Sequence, residues 1–404
     1  MGLDLSRTAR DIDSMAGRLH DGAADQAGRL TRARAVLQAQ DARLDTLREK
    51  VKRGRDRVTF LGAGLSDGLA ARHAAPDAPS DYVALGADGS QIEADRHTPA
   101  ACFLLNIGTV TLRYGAAPGA SLDSFPLLLA DAADLEVRDP SGSRSVPLDG
   151  PLLGVRRAIE EHKALLELAR RAPPELPVVA LLDGSLVLWT LAGQAYPEFV
   201  RETLLEGALL PVLDEFAALA QSRPLALASY ISYPRSTDVV NALRVAECPY
   251  EPPDCDRHCA GRGAFQRPCD SVGGVLDRDL FGGLLAPGER SALFDSASRI
   301  VQRYGRHAVR FFYLNVGDEI ARVEMPQWVA DSPRLLDLAH GLALDQCRRG
   351  RGYPVALSEA HEQAVVREAD REQFWRLVEN ALARRGMRAP QGGAKNVSKR
   401  TRWL

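Results

Sequence analysis

Two stretches of this chain finish an apolar run in the same three residues. Positions 82–87 lead into Asp88-Gly89-Ser90, and positions 176–182 lead into Asp183-Gly184-Ser185. Each run has the length of a buried strand. An aspartate at such an end, followed by Gly and Ser that let the backbone turn, leaves its carboxylate at the edge of a sheet. Two of them on neighbouring strands can share a divalent cation. Mn²⁺ and Mg²⁺ take hard oxygen ligands and keep open positions for water and phosphate. Asp-Gly is also a common turn dipeptide, so a pair of ordinary turns is the plain alternative. A third ligand can come from the helix expected before the second run, where Glu160 and Glu161 are adjacent. Glu161 lies nearer the border of the apolar stripe centred between Val155 and Ile159. Near the C-terminus, Tyr353 in a loop and His361 on the following helix add a hydroxyl and an imidazole. Such a histidine is by default a capping or core residue, but it can also ligate metal or move a proton.

A second constellation is made of sulfur. Cys248, Cys255, Cys259 and Cys269 crowd into one Gly/Pro-rich stretch. Four soft ligands in a loop that could hardly hold itself together otherwise suit tetrahedral Zn²⁺ or, behind it, an iron–sulfur cluster. Closed coordination makes this a stability element, with free buried thiols as the alternative. The spacing matches no standard zinc-finger rule. Cys102 and Cys347 read as core residues. Two arginines have the chemistry to grip a phosphate: Arg235, after a Tyr-Pro turn, and Arg322, which shares a strand face with Glu324. A same-face ion pair is the alternative for Arg322.

Positioning these groups requires alternating strands and helices, and the sequence supplies them. Strands are expected at 82–87, 101–112, 176–182, 225–230, 309–316 and 320–324. Helices are expected from about 151 to the Pro-Pro at 173–174, and at 199–220, 289–304, 333–349 and 357–383. The expected fold class is α/β, a mixed sheet flanked by helices. It carries an N-terminal long helix and a cysteine-bearing insertion. In the long helix, Leu30, Ala33, Leu37, Leu44, Leu47 and Val51 fall on a heptad seam, interrupted at Gln40, which suggests coiled-coil character and a homodimer. The domain reading is a helical region over 1–80, a catalytic region over 81–385 with the insertion at about 246–275, and a disordered basic tail over 386–404.

Composition bounds the function. The 404 residues are 45% hydrophobic and 26% charged, as in ordinary globular proteins. With 51 Lys+Arg against 53 Asp+Glu the net charge is −2, so any nucleic acid must be met by local patches. No apolar run reaches the length of a membrane span, and the first residues lack the build of a signal peptide. The expected location is cytoplasmic, with no membrane partner.

Taken together, GADGSQIEADRH at 86–97, LLNIGTVTLRYG at 104–115, LLDGSLVLW at 181–189, YISYPRSTDVVNALRV at 230–245, FFYLNVGDEIARVEMPQWVA at 311–330 and GYPVALSEAH at 352–361 resemble the NurA nuclease family. The resemblance spans about residues 81–370. It implies an RNase H-like core and a Mn²⁺- or Mg²⁺-dependent deoxyribonuclease, of the 5′–3′ exonuclease and single-strand endonuclease type. Such an enzyme processes single- and double-stranded DNA ends for double-strand break repair, as a homodimer docked on a HerA-type hexameric ATPase/translocase. The resemblance places the metal-binding aspartates at Asp88 and Asp183, the helical acid at Glu160 or Glu161, and the late tyrosine and histidine at Tyr353 and His361. A catalytically silent DNA-end-binding or clamp subunit of the same complex is the alternative.

Overall fold

The computed structural model describes residues 4–94, 100–263 and 265–387. Most of the basic tail expected at 386–404 lies outside them. The chain forms two compact units. The first takes the chain up to Ala75 together with Ile231–Val301 and Ala308–Glu324, and the second takes the remainder.

The first unit opens with the expected long helix, α1 (Leu5–Asp41), followed by α2 (Leu44–Gly54). The chain breaks between them, at residues 42–43. The heptad seam is not left for a partner: Ala33, Leu37 and Leu47 are buried, and Leu30, Leu44 and Val51 pack on the same cluster, which includes Val240, Leu243, Phe281 and Tyr313. The seam is the inner stripe of an ordinary amphipathic pair, which removes the argument from an exposed seam to a dimer.

The second unit is built on a mixed sheet. Its strands are β1 (Tyr82–Ile92), β2 (Phe103–Tyr114), β3 (Gly119–Leu129), β4 (Val178–Asp183) and β5 (Leu225–Ile231). They lie in the order β5-β4-β1-β2-β3. β1, β2 and β3 form an antiparallel meander, and β4 runs parallel to both β1 and β5. α3 (Gly150–Arg171) makes the crossover into β4, with Pro151 in its first turn and Ala172 extended ahead of the Pro-Pro. The helix expected at 199–220 is interrupted. A π-helical stretch, Glu202–Leu209, precedes α4 (Leu210–Ser222), where Pro211 has no N–H to continue the ladder.

The first unit resumes with α5 (Asp238–Glu247), the short α6 (Cys255–Cys259), and the strands β6 (Val309–Asn315) and β7 (Ile320–Pro326). Where helical spacing suggested a helix at 289–304, the chain first pairs with β6, Arg290 opposite Leu314 and Phe294 opposite Phe311, and only then turns helical, as a 3₁₀ stretch over Arg299–His307. Leu293, Ala297, Ile300 and Tyr304 are buried as the pattern requires, but strand pairing overrides the helical period over the first part of the stretch.

The second unit closes with α7 (Pro333–Arg349), α8 (Val355–Ala364) and α9 (Glu368–Arg384). The single helix expected at 357–383 is therefore two. The last carbonyls of α8 accept from side chains of the sheet: Ser90 Oγ and Asn106 Nδ2 donate to the Ala364 oxygen, and Asn106 also to Gln363. Side chains thus satisfy carbonyls that another helical turn would have used.

Candidate active site

β1 does not stop at Asp88. It continues through Asp88-Gly89-Ser90 to Ile92, paired with β2 throughout. The turn expected there is absent, and Gly89 is glycine for another reason. A Cβ at that position would fall 2.7 Å from Glu161 Oε1 and 2.9 Å from the Arg157 side chain. The missing side chain lets the α3 carboxylate reach the strand. Asp183, by contrast, does end its strand, and Gly184 turns with φ +86°. In the parallel register Ala87 is opposite Leu182, so the next step along places Asp88 beside Asp183.

Side chains alternate along a strand, so Gly86 and Asp88 face one side of the sheet and Gly89 the other. On the Gly86 side lies α8. Cβ atoms at Gly86 and Gly108 would each sit 2.3 Å from a carbonyl oxygen of α8, at Ala356 and Ala360. Two glycines on adjacent strands therefore seat the helix backbone directly on the sheet. His361 then reaches Asp88: its Nδ1 is 2.8 Å from Asp88 Oδ2, while the Gly89 N–H donates to Oδ1 at 2.7 Å. The loop before α8 carries Tyr353, whose hydroxyl donates to Asp183 and whose ring meets Tyr230 edge-on.

The adjacent glutamates separate cleanly. Glu160 is paired with Arg156 and Lys163, each at 2.9 Å along its own helix. Glu161 is 8% exposed, and among the described residues its ion-pair partner is Arg157 Nε at 3.1 Å. Burial pushes Glu161 up to about 8 against the pull of Arg157, with Asp88 and Asp183 adding to the rise. The walls of the site also raise Asp183, with Asp88 contributing and Tyr353 opposing. Three carboxyl groups thus crowd one region, and burial together with their mutual repulsion raises at least two of them. That donor set, hard oxygens with an imidazole at the edge, suits a divalent cation in kind. Among the described residues, no three His, Cys, Asp or Glu side chains already stand in an arrangement that could hold an ion.

The two arginines lie in the first unit. Arg235 is exposed ahead of α5. Arg322 is 3% exposed, ion-paired to Glu324 at 2.8 Å and Asp238 at 3.1 Å, and stacked 3.5 Å over the Phe311 ring. It is not free to hold a phosphate, and the ion-pair alternative is the one realised. Nearby, Asp277 accepts from Tyr313 Oη at 2.6 Å and from the N–H groups of Val239 and Val240. The four loop cysteines are also in this unit, around α6.

The residues missed by sequence reasoning are those that seat the site rather than line it: Gly86, Gly108, Ser90, Asn106 and Arg157. Glycines within strands were the available signal, since a strand interior tolerates Gly mainly where another backbone approaches closely.

A mixed sheet with an antiparallel meander, a helical crossover to parallel strands, and aspartates side by side on the central pair defines the RNase H-like class of α/β folds. The NurA domain model matches residues 82–366, and the chain belongs to the NurA family of nucleases. Among solved structures it is similar to the NurA nuclease from Sulfolobus solfataricus, with 13% identity over 78% of this chain and 87% of that one and a TM-score of 0.43. It is also similar to LC9-RNase H1, a type 1 RNase H with the type 2 active-site motif. There the identity is 13% over 41% of this chain and 71% of that one, with a TM-score of 0.21. No curated protein matches.

Proposed function

We propose that the protein is a Mn²⁺- or Mg²⁺-dependent deoxyribonuclease that trims DNA ends. The observation that carries this reading is the meeting of Asp88, Glu161 and Asp183 with Tyr353 and His361 in a chain of the NurA family. Asp88, Asp183 and Glu161 would hold the cation, which when bound supplies charge stabilisation to a phosphodiester and an activated nucleophile. The chain's own groups do the rest. Tyr353 orients the Asp183 carboxylate by donating to it. His361 engages Asp88 through Nδ1, which leaves Nε2 at the exposed end of the ring to accept or return a proton. Arg157 partly neutralises Glu161 until the cation takes its place.

The substrate is DNA, in single strands and at double-stranded ends, cut in the 5′–3′ exonuclease and single-strand endonuclease modes that the family resemblance implies. A HerA-type hexameric translocase, a homodimeric state and a cytoplasmic, nucleoid-associated location belong to the same proposal. Degradation of linear DNA with Mn²⁺ tests it, comparing wild type with Asp88→Ala. Loss of cleavage in the variant supports a nuclease. DNA binding without cleavage by the wild type, under every divalent metal, would indicate the silent end-binding subunit instead.

A further inference from the structure

We propose that Cys248, Cys255, Cys259 and Cys269 form a four-thiolate site for one structural zinc ion in the first unit. The four cysteines, separated by up to 21 positions in the chain (269 − 248), line one space together with Pro253 and Tyr250. Cys255, Cys259 and Cys269 are 8%, 6% and 5% exposed, and all four thiols are free. α6 places Cys255 and Cys259 four residues apart, on one face of the helix. Its start is fixed by Asp254, which accepts from the Arg257 N–H, and its first N–H, at Cys255, donates to the Arg57 carbonyl.

His258 stacks on Tyr250 at 4.0 Å and 7° and does not line the space, and the carboxylate of Asp254, which does, accepts from the Arg257 N–H, so the proposed ligand set is the four sulfurs. Cationic groups surround the space. Arg267 Nη1 is 3.9 Å from Cys255 Sγ, and Lys50 Nζ donates to the Cys248 carbonyl. Four thiolates around Zn²⁺ carry two net negative charges, and such neighbours offset them. The sulfurs border the space without yet closing on one point. Binding therefore requires side-chain rotations that bring each to roughly 2.3 Å from the ion. Closure on the ion would add its binding free energy to the stability of the folded loop.

The test uses the full chain, purified anaerobically without added metal. The expected result is about one zinc per chain by elemental analysis, released in step with the titration of about four thiols by a mercurial reagent. Exchange for Co²⁺ should give the intense visible bands of tetrahedral thiolate cobalt. In the Cys255→Ser/Cys259→Ser variant, zinc content should fall to under about a tenth of an equivalent. Where that variant fails to fold, the wild-type titration and the cobalt spectrum still decide. Zinc absent from protein with four reactive thiols, zinc retained in full by the folded variant, disulfides among the four, or iron with a visible charge-transfer band would each overturn the proposal.

Discussion

At the residue scale, the chemistry separates groups that hold the site from groups that merely resemble ligands in sequence. Asp88→Ala and Asp183→Ala are each expected to reduce Mn²⁺-dependent cleavage to background while leaving the melting temperature unchanged or higher, since removing one carboxylate relieves repulsion among three. Full activity in either variant would remove it from the metal set. Glu160→Ala is expected to keep most activity, because its charge is spent on Arg156 and Lys163. The same comparison shows how much of the site was legible. Asp88, Asp183, Tyr353 and His361 announced themselves by residue type and by family motif. The choice between Glu160 and Glu161 needed the helix phase, which one stripe of apolar residues fixes only loosely. Arg322 was ambiguous for a physical reason: an arginine two residues from a glutamate on a strand looks the same whether it faces a phosphate or its neighbour, and only burial decides. That buried cluster carries its own test. Burial pushes Asp277 up to about 7, Asp238 adds to the rise, and bonds from Tyr313, Val240 and Val239 oppose it. A carboxyl whose folded value lies above its unfolded one stabilises at low pH, and that contribution is lost as pH rises through about 7. The melting-temperature advantage of wild type over Asp277→Asn should therefore shrink between about pH 4 and pH 8. A constant difference would show that Asp277 is ionised throughout.

At the element scale, the fold rests on close approaches that hydrophobic periodicity does not report. α8 carries His361 and follows directly on Tyr353, and it lies where it does because Gly86 and Gly108 present no side chain to it. Gly86→Ala puts a methyl 2.3 Å from the Ala356 carbonyl oxygen, which is backbone and cannot rotate away. An overpacking cost of about 1–3 kcal/mol is expected, with a loss of activity larger than the loss of folded protein because the helix must shift. Activity in proportion to folded protein would mean that α8 tolerates the displacement. The strands were largely readable, because buried runs of Val, Leu and Ala bounded by turn residues leave little choice. Errors fell where tertiary contacts overrode a local pattern. The stretch at 289–304 has a helical period, but its first part pairs with β6 and only the residues from Arg299 on are helical, and α8 ends early because Ser90 and Asn106 take its last carbonyls. The heptad seam was read correctly as apolar and wrongly as facing a second copy. Since Leu37 is fully buried, Leu37→Ala should cost about 2–5 kcal/mol in denaturant unfolding. A negligible cost would mean that α1 is not part of this core.

At the scale of the whole molecule, the question is what can bring two copies together once that seam is filled. The buried positions of α1 begin only at Ala33, yet the helix starts at Leu5. Over its N-terminal half the large apolar residues are exposed: Leu5 at 70%, Ile12 at 51%, Met15 at 46% and Leu19 at 66%. Their separations of seven, three and four residues (12 − 5, 15 − 12 and 19 − 15) are those of a coiled-coil seam, which brings them to one side of the helix. A stripe of this kind loses its contact with water when it pairs with its own copy, because a two-fold axis sets the same face against itself. Thr8 interrupts the stripe and Gly22 follows it, both at inward positions, so the pairing should be concentration-dependent rather than permanent. Light scattering is therefore expected to give a mass that rises from one chain to two with increasing concentration. The Ile12→Asp/Leu19→Asp variant, which places like charges opposite one another across the axis, should remain monomeric over the same range with its melting temperature at low concentration unchanged. A wild type that stays at one chain at every concentration would exclude this seam as a dimer contact, and a variant that dimerises as the wild type does would move the contact to another surface.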